Sequence, residues 1–172
     1  MVKHERKQLS LTTSSNEGGS PGIVSLGQYA KNDSMGETTM NALEQMVARG
    51  QDSFWAYLGC ELVSANKEEV VIALDAKQHH TNSMGIIHGG VLTSLMDQAM
   101  GMVATAAKNI DSCVTTDINV HFMNAMVPGR LTVTARVLNE AGRSLVTEAK
   151  INDNDGTLAC MATATFRVVN RK

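Results

Sequence analysis

One carboxylate interrupts a stretch of the chain that is otherwise almost wholly apolar. Asp97 lies within Gly90–Gly101, where the periodicity of apolar residues predicts a long buried helix. Burying an ionised carboxylate costs free energy unless the group is paired, hydrogen-bonded or placed in a solvated cleft. The loop before this helix ends in Gly89-Gly90, where free backbone N–H groups and the helix dipole favour developing negative charge. A base and an oxyanion binder two turns apart indicate a candidate active site.

The helix that must carry this carboxylate is predicted over residues 88–108. Its apolar positions recur at helical spacing and form a wide stripe, which indicates that other structure wraps most of the helix. Asp97 falls on a narrower face whose other members are small, among them Gly101. A glycine inside a helix costs about 1 kcal/mol relative to alanine. We therefore interpret Gly101 as a place where another backbone or a substrate approaches closely.

Alternating apolar residues predict two strands before this helix and four after it, with turn residues between consecutive strands. The alternation in Val114–Phe122 is strict and places Val114 and Phe122 on one face with Thr115 on the other. Tight turns between strands favour an antiparallel sheet, so the predicted fold class is α+β, a curled sheet around one central helix. The predicted strands lie in 58–62, 70–74, 114–122, 131–137, 145–151 and 158–168.

The first part of the chain has a different composition. Residues 1–36 are rich in Ser, Gly, Asn and Thr, which predicts a poorly ordered extension with at most a short helix near Ile23–Ala30. Residues 37–172 are predicted to form one domain, which begins with an amphipathic helix over Glu37–Arg49. The aromatic residues that follow, at 54, 55 and 57, are expected to plug one end of the core.

Composition excludes several classes of function. The net charge of the 172 residues is −2 and the pI is about 6.2, which does not favour nucleic-acid binding. We find neither an apolar run long enough for a membrane span nor a secretory signal. Three scattered cysteines, Cys60, Cys113 and Cys160, are typical of free thiols in a reducing compartment. The expected location is therefore the cytoplasm, with no metal site and no membrane partner.

The pattern Asn82-x-x-Gly85-x-x-His88-Gly89-Gly90 is followed seven residues later by Asp97. Together with the order of the strands, this spacing resembles the hotdog-fold acyl-CoA thioesterases, and more narrowly the PaaI-like enzymes of phenylacetate-pathway type. The resemblance covers about Gly50 to Val168. It extends to Thr115-Thr116-Asp117, Pro128-Gly129 and Ala141-Gly142-Arg143.

This resemblance implies a catalytic role for four positions. Asp97 matches the acid that acts as a general base on water or as a nucleophile toward the thioester. Gly89 matches the glycine whose N–H polarises the thioester carbonyl, and Asn82 matches an amide that positions water or the leaving sulfur. Thr115 falls where some relatives place a hydroxyl from the neighbouring subunit. His88 and Gly90 are expected to brace the loop.

The resemblance also implies the substrate and the assembly. Gly142, Arg143 and Ser144 fall on a turn that contacts the CoA nucleotide in relatives. Two protomers are expected to pair their sheets edge to edge, as a dimer or tetramer with sites shared between subunits. The implied reaction converts an aryl- or medium-chain acyl-CoA to free acid and CoA, without a cofactor other than the CoA of the substrate.

Other interpretations of these residues stay open at this point. A hotdog domain could bind acyl-CoA as a non-catalytic sensor, or act as a dehydratase or hydratase that pairs His88 with Asp97. Asn82 could serve only in an Asx turn, and Thr115 could be an ordinary strand residue. The adjacent pair His79-His80 suggests a metal site, but no Cys or carboxylate stands at ligand spacing from it.

Overall fold

A six-stranded antiparallel sheet surrounds one long helix in the computed structural model, which describes residues 43, 45–48, 50–110 and 112–169. The strands follow the spatial order β1-β2-β4-β5-β6-β3. This arrangement confirms the predicted α+β hotdog architecture. The strands are β1 Cys60–Ala65, β2 Glu69–Ala76, β3 Cys113–Phe122, β4 Gly129–Ala141, β5 Ser144–Asp153 and β6 Leu158–Val168.

The helices that position the site are α1 at Phe54–Leu58 and α2 at Gly89–Lys108. Helix α2 contacts all six strands, which explains why its apolar stripe is so wide. Buried side chains on α2, including Leu95 and Met100, are completely shielded from solvent and form the centre of the core. The helix therefore gives Asp97 a rigid support.

The structure corrects the prediction that Leu58 begins a strand, because Leu58 is the last residue of α1. The helix begins at a Ser53 cap and ends at Gly59, whose φ of 80° suits glycine. The aromatic plug is also smaller than predicted. Trp55 is buried, but Phe54 is 50% and Tyr57 79% exposed.

Strand β3 forms an edge of the sheet and departs from strict alternation. Its pairing with β6 shifts register between Thr115 and Asp117, so that one residue is left over as a bulge. Strict alternation would place residues 115 and 118 on opposite faces of the strand. Because of the bulge, Thr115 faces α2 and Ile118 also packs on the core. Val114 and Phe122, which were expected to share one face of a strictly alternating strand, are 46% and 56% exposed.

The structure describes only part of the region before α1. Residues 43, 45–48 and 50 are helical, which agrees with the end of the predicted amphipathic helix. The extension 1–36 and its predicted helix at Ile23–Ala30 lie outside the described residues. Among the residues that are described, no helix has both the length and the apolar character needed to cross a membrane.

Candidate active site

A buried histidine holds the loop that leads into α2. The Nδ1 atom of His80 accepts the Lys77 N–H at 2.9 Å, and its Nε2 lies 3.1 Å from the Leu58 carbonyl oxygen. The ring is therefore the neutral tautomer that carries its proton on Nε2. Burial lowers the pKa of His80, and the neighbouring charges of His79 and Lys77 lower it further. The His80 carbonyl in turn accepts the N–H of His88 at 2.9 Å, so this histidine connects α1 to the start of α2.

We expect the stability of the protein to fall when the pH falls below about 6.5, the ordinary pKa of histidine. The unfolded chain binds a proton at His80 more readily than the folded chain, so the free energy of unfolding decreases as the pH decreases. Urea unfolding of wild type, His80→Gln and His79→Gln between pH 7.5 and 5.5 measures this slope. His80→Gln should be less stable and less sensitive to pH. His79→Gln should keep most of the wild-type slope, because burial is the larger cause of the lowered pKa of His80. An unchanged slope in His80→Gln would contradict the assignment.

Asn82 closes a tight turn in the same loop. Its side-chain oxygen accepts the Met84 N–H at 2.9 Å, and its carbonyl accepts the Gly85 N–H at 3.0 Å. Gly85 has a φ of 77°, a conformation that favours glycine. The Asx turn is therefore present. It leaves the amide NH₂ of Asn82 available as a donor to a ligand, so the structural and the functional interpretations are compatible.

The N-terminus of α2 exposes one backbone donor. His88 caps the helix through Nδ1, which accepts the Gly90 N–H at 2.8 Å. The N–H groups of Val91 and Leu92 donate to the His88 carbonyl. Among the described residues, the N–H of Gly89 is left with no hydrogen-bond partner. The contact between His88 and Gly90 braces the start of the helix. It leaves the Gly89 N–H free to bind an oxyanion.

Phe122 packs against Gly89 and was missed by the sequence analysis. A Cβ placed on Gly89 would lie 3.3 Å from Phe122 Cζ, so the ring packs directly against the glycine. The only signal in the sequence was a large apolar residue at the end of a strand, and alternation placed it on one face of that strand without indicating a role at the site. An exposed aromatic ring therefore lies beside the glycine that carries the unpaired N–H.

Asp97 is hydrogen-bonded to Thr115 of its own chain. The Thr115 hydroxyl donates to Asp97 Oδ1 at 2.8 Å. This contact fixes one carboxylate oxygen and leaves Oδ2 for a further partner. The resemblance implied that the Thr115 hydroxyl comes from the neighbouring subunit. This contact instead lies within one chain, because the bulge in β3 turns the threonine toward its own helix.

The two halves of the predicted site are far apart within one chain. Gly89 is the first residue of α2 and Asp97 follows eight residues later, which is about 12 Å along a helix axis. The structure therefore does not bring Asn82 and Gly89 to the Asp97–Thr115 pair. The same distance argues against a dehydratase in which His88 and Asp97 of one chain act together.

A cavity of about 330 Å³ opens beside Asp97. It runs along α2 toward Thr105, and its other walls come from Trp55, Cys113 and Phe166. Burial raises the pKa of the Cys113 thiol, and the nearby Asp97 charge raises it further. The thiol thus stays protonated at neutral pH, and Asp97 is the carboxylate in the wall of this cavity.

The turn that was assigned to CoA binding lies between β4 and β5. Gly142 has a φ of 58°, which makes the turn possible. The guanidinium of Arg143 donates from Nη2 and Nε to the Val168 carbonyl at 2.8 and 3.2 Å. These bonds hold the exposed arginine beside the end of β6. Ser144 begins β5 next to it.

The paired histidines do not form a metal site in the structure. The rings of His79 and His80 lie 4.0 Å apart between centroids, but both nitrogens of His80 contact the backbone. Within the described ranges, no group of three or more His, Cys, Asp or Glu side chains is arranged to hold a metal ion.

This chain resembles proteins of a known family. A family model described as the thioesterase superfamily matches residues 84–160, which include the helix start, Asp97 and Thr115. A solved structure of a conserved protein from Pseudomonas aeruginosa is 31% identical, with a TM-score of 0.67, and covers 71% of this chain and 99% of its own. The chain belongs to the thioesterase superfamily. It is thus a hydrolase that acts on thioester bonds, as its residues predicted.

Two further proteins resemble this chain, one in sequence and one in structure. The 1,4-dihydroxy-2-naphthoyl-CoA hydrolase of Listeria monocytogenes is 28% identical over 67% of this chain and 94% of its own length. The PaaI protein from the phenylacetic acid degradation operon of E. coli is 19% identical, with a TM-score of 0.72, and covers 80% of this chain and 97% of its own. The second likeness shows the hotdog fold.

Proposed function

We propose that this superfamily member is a PaaI-like acyl-CoA thioesterase that hydrolyses an aryl- or medium-chain acyl-CoA at a site shared by two copies of the chain. The observation that carries the proposal is the unpaired N–H of Gly89 at the start of the helix that also carries Asp97, whose carboxylate is held by Thr115. An oxyanion donor and an oriented carboxylate are the two groups that thioester hydrolysis requires.

The Gly89 N–H stabilises the negative charge that develops on the carbonyl oxygen of the substrate. Asp97 takes a proton from water through the oxygen that Thr115 leaves free, and the water oxygen forms a bond to the carbonyl carbon. When the tetrahedral intermediate collapses, the carbon–sulfur bond breaks and the CoA thiolate leaves. The amide NH₂ of Asn82 donates to the leaving sulfur or to the attacking water. A direct attack by Asp97 on the carbonyl carbon is the variant of this route that the same geometry supports.

A second copy of the chain supplies the half of the site that one copy places too far away. Strand β3 is ten residues long and lies at an edge of the sheet, with unpaired backbone groups that favour pairing with another strand. Phe122 lies on this edge and also packs against Gly89. If β3 of one protomer pairs with β3 of a second protomer, the Gly89 of one lies near the Asp97 of the other.

The walls of the cavity favour an aryl or medium-length acyl group. Trp55 and Phe166 offer aromatic surface to a ligand. Gly101 leaves room beside the Phe166 ring, since a Cβ at this position would lie 3.3 Å from it. The volume of about 330 Å³ is at the small end of the range for ligand pockets. The exposed Arg143 on its turn is a suitable partner for a phosphate of CoA.

Release of free thiol from a panel of acyl-CoAs tests this proposal. The panel should contain phenylacetyl-, benzoyl-, hexanoyl- and palmitoyl-CoA, with the matching p-nitrophenyl esters as oxygen-ester controls. We expect the aryl and six-carbon thioesters to be hydrolysed with the highest kcat/KM, and the oxygen esters to be poor substrates. Equal rates on oxygen esters, or a preference for palmitoyl-CoA, would contradict the proposed substrate class.

Thr115→Val should lower kcat by roughly tenfold to a hundredfold, because a hydrogen bond to a charged group contributes about 1.5–3 kcal/mol. The change removes the hydroxyl that orients Asp97 and keeps the volume of the side chain. Thr115→Ser keeps the hydroxyl and should retain most of the activity. Steady-state kinetics with the best acyl-CoA compares the two. Equal losses in both variants would show that the methyl group matters and the hydrogen bond does not.

A further inference from the structure

One ionisable side chain is buried behind the two donor groups of the proposed site. His80 is 4% exposed, and the polar side chains buried in the described part of the chain are His80, Thr105 and Thr147. Of these three, only the histidine can gain a proton near neutral pH. The proposed reaction does not use this imidazole. Its burial close to the site therefore indicates a role that the reaction alone does not include.

The backbone of His80 forms the base of the loop that carries both donors. Its carbonyl accepts the His88 N–H at 2.9 Å, and farther into the loop the Asn82 N–H donates to the Ile86 carbonyl at 2.8 Å. Asn82 lies inside this loop, and Gly89 follows its last residue. A displacement of His80 would therefore move the Asn82 amide and the Gly89 N–H together.

The imidazole ring holds the base of this loop against α1. Its Nδ1 accepts the Lys77 N–H at 2.9 Å, and its Nε2 donates to the Leu58 carbonyl at 3.1 Å. Leu58 is the last residue of α1, so the ring joins that helix to the loop. Only the neutral form with its proton on Nε2 makes both bonds. A proton on Nδ1 would set two N–H donors against each other and break the bond to Lys77.

The surroundings of His80 disfavour its protonated form. Burial is the largest cause of its lowered pKa, and the charges of His79 and Lys77 lower the pKa further, against an opposing backbone hydrogen bond. The other titratable side chains in the cavity that His80 lines are Tyr57 of α1 and His88 at the start of α2. No carboxylate of the described residues lines this cavity. The ring is therefore neutral at pH 7 and gains its proton below about pH 6.5, the ordinary pKa of histidine.

We propose that His80 is a positioning residue whose neutral imidazole holds the Asn82 amide and the Gly89 N–H in the geometry that thioester hydrolysis requires. The inference rests on the proposed function, since it assumes that these two donors act on the thioester. His80 acts only through the loop. Acidification should therefore lower kcat by moving both donors, as an effect separate from any protonation of Asp97.

Kinetics across a range of pH test this proposal. His80→Asn keeps an acceptor for the Lys77 N–H and cannot gain a proton, whereas His80→Leu removes both ring bonds. His80→Leu should lower kcat by roughly tenfold to a hundredfold, since a misplacement of about 1 Å can cost a hundredfold. His80→Asn should recover part of this loss, and its kcat should fall less than that of wild type below about pH 6.5. His79→Gln is the matched control and should keep most of the wild-type fall.

The same variants separate His80 from the other groups that gain protons in acid. Asp97 and His88 are unchanged in His80→Asn, so a difference from wild type in the pH profile reports His80 alone. A thermal melt at each pH shows whether the variants are folded under the conditions of the assay. A profile of His80→Asn that falls as steeply as that of wild type, or wild-type kcat in His80→Leu, would overturn the positioning role.

An NMR titration measures the same coupling without turnover. In the full chain labelled with 15N, the Gly89 backbone amide and the Asn82 side-chain amide should shift as the His80 ring gains its proton. This component should vanish in His80→Asn and persist in His79→Gln. Amide signals that do not follow the His80 ring would overturn the inference. Coupled signals with no hydrolysis of any acyl-CoA by wild type would support the role of His80 in the loop and refute the proposed reaction alone.

Discussion

Asp97→Asn should lose between about a hundredfold and ten-thousandfold in kcat, the usual contribution of a general base. Asparagine has nearly the same shape as aspartate, and its side-chain oxygen can still accept the hydroxyl of Thr115. The variant should therefore fold and bind CoA like wild type while it fails to activate water. Steady-state hydrolysis, CoA calorimetry and a thermal melt measure these three properties.

Asp155→Asn is the matched control for that variant. Asp155 is an exposed carboxylate in the turn between β5 and β6, and the same chemical change there should leave kcat unaltered. Wild-type hydrolysis by Asp97→Asn would exclude both roles, base and nucleophile, for this carboxylate. A loss of CoA binding along with hydrolysis would instead indicate a structural role.

Gly89→Pro should lower kcat by about a hundredfold to a thousandfold, the cost of one oxyanion donor in other enzymes. Gly89 is the first residue of α2, a position that accepts proline well because its N–H has no partner within the helix. The preceding residue, His88, has φ −62° and ψ 134°, which is the extended conformation that proline requires before it. The substitution therefore removes one N–H and keeps the helix.

Gly89→Ala separates the missing N–H from the added side chain. Both variants add a Cβ, which would lie 3.3 Å from Phe122 Cζ, but alanine keeps the donor. We expect kcat of Gly89→Ala to stay well above that of Gly89→Pro, with equal helix content by circular dichroism. If the two variants lose the same activity, contact with Phe122 and not the N–H would account for the effect.

Most of the fold follows from local patterns in the sequence. The helix that carries Asp97 could be predicted to within one residue at its start, because an apolar stripe and a capping residue define it. Strand β6 also agrees with its predicted inward face from Cys160 to Phe166. The strand predicted at Leu58 was wrong, because Ser53 and Gly59 cap a short helix there. The apolar residues of this segment also alternate, which suggested a strand.

The site was harder to predict because it depends on contacts between distant parts of the chain. A single extra residue in β3 turns Thr115 toward Asp97, and alternation alone cannot reveal a bulge. The contact of Phe122 with Gly89 was missed, since nothing local in the sequence distinguishes a ring in the core from one that packs against a glycine at the site. The separation of Gly89 from Asp97, by contrast, could have been calculated from the helix rise alone.

Mixing two inactive variants tests most directly whether the site is shared between copies of the chain. Asp97→Asn and Gly89→Pro are refolded together in equal amounts, and each alone as a control. About half of the dimers should then contain one chain of each kind, with one intact and one doubly altered site, which restores about a quarter of wild-type activity. A mixture no more active than the two variants alone would contradict the shared site.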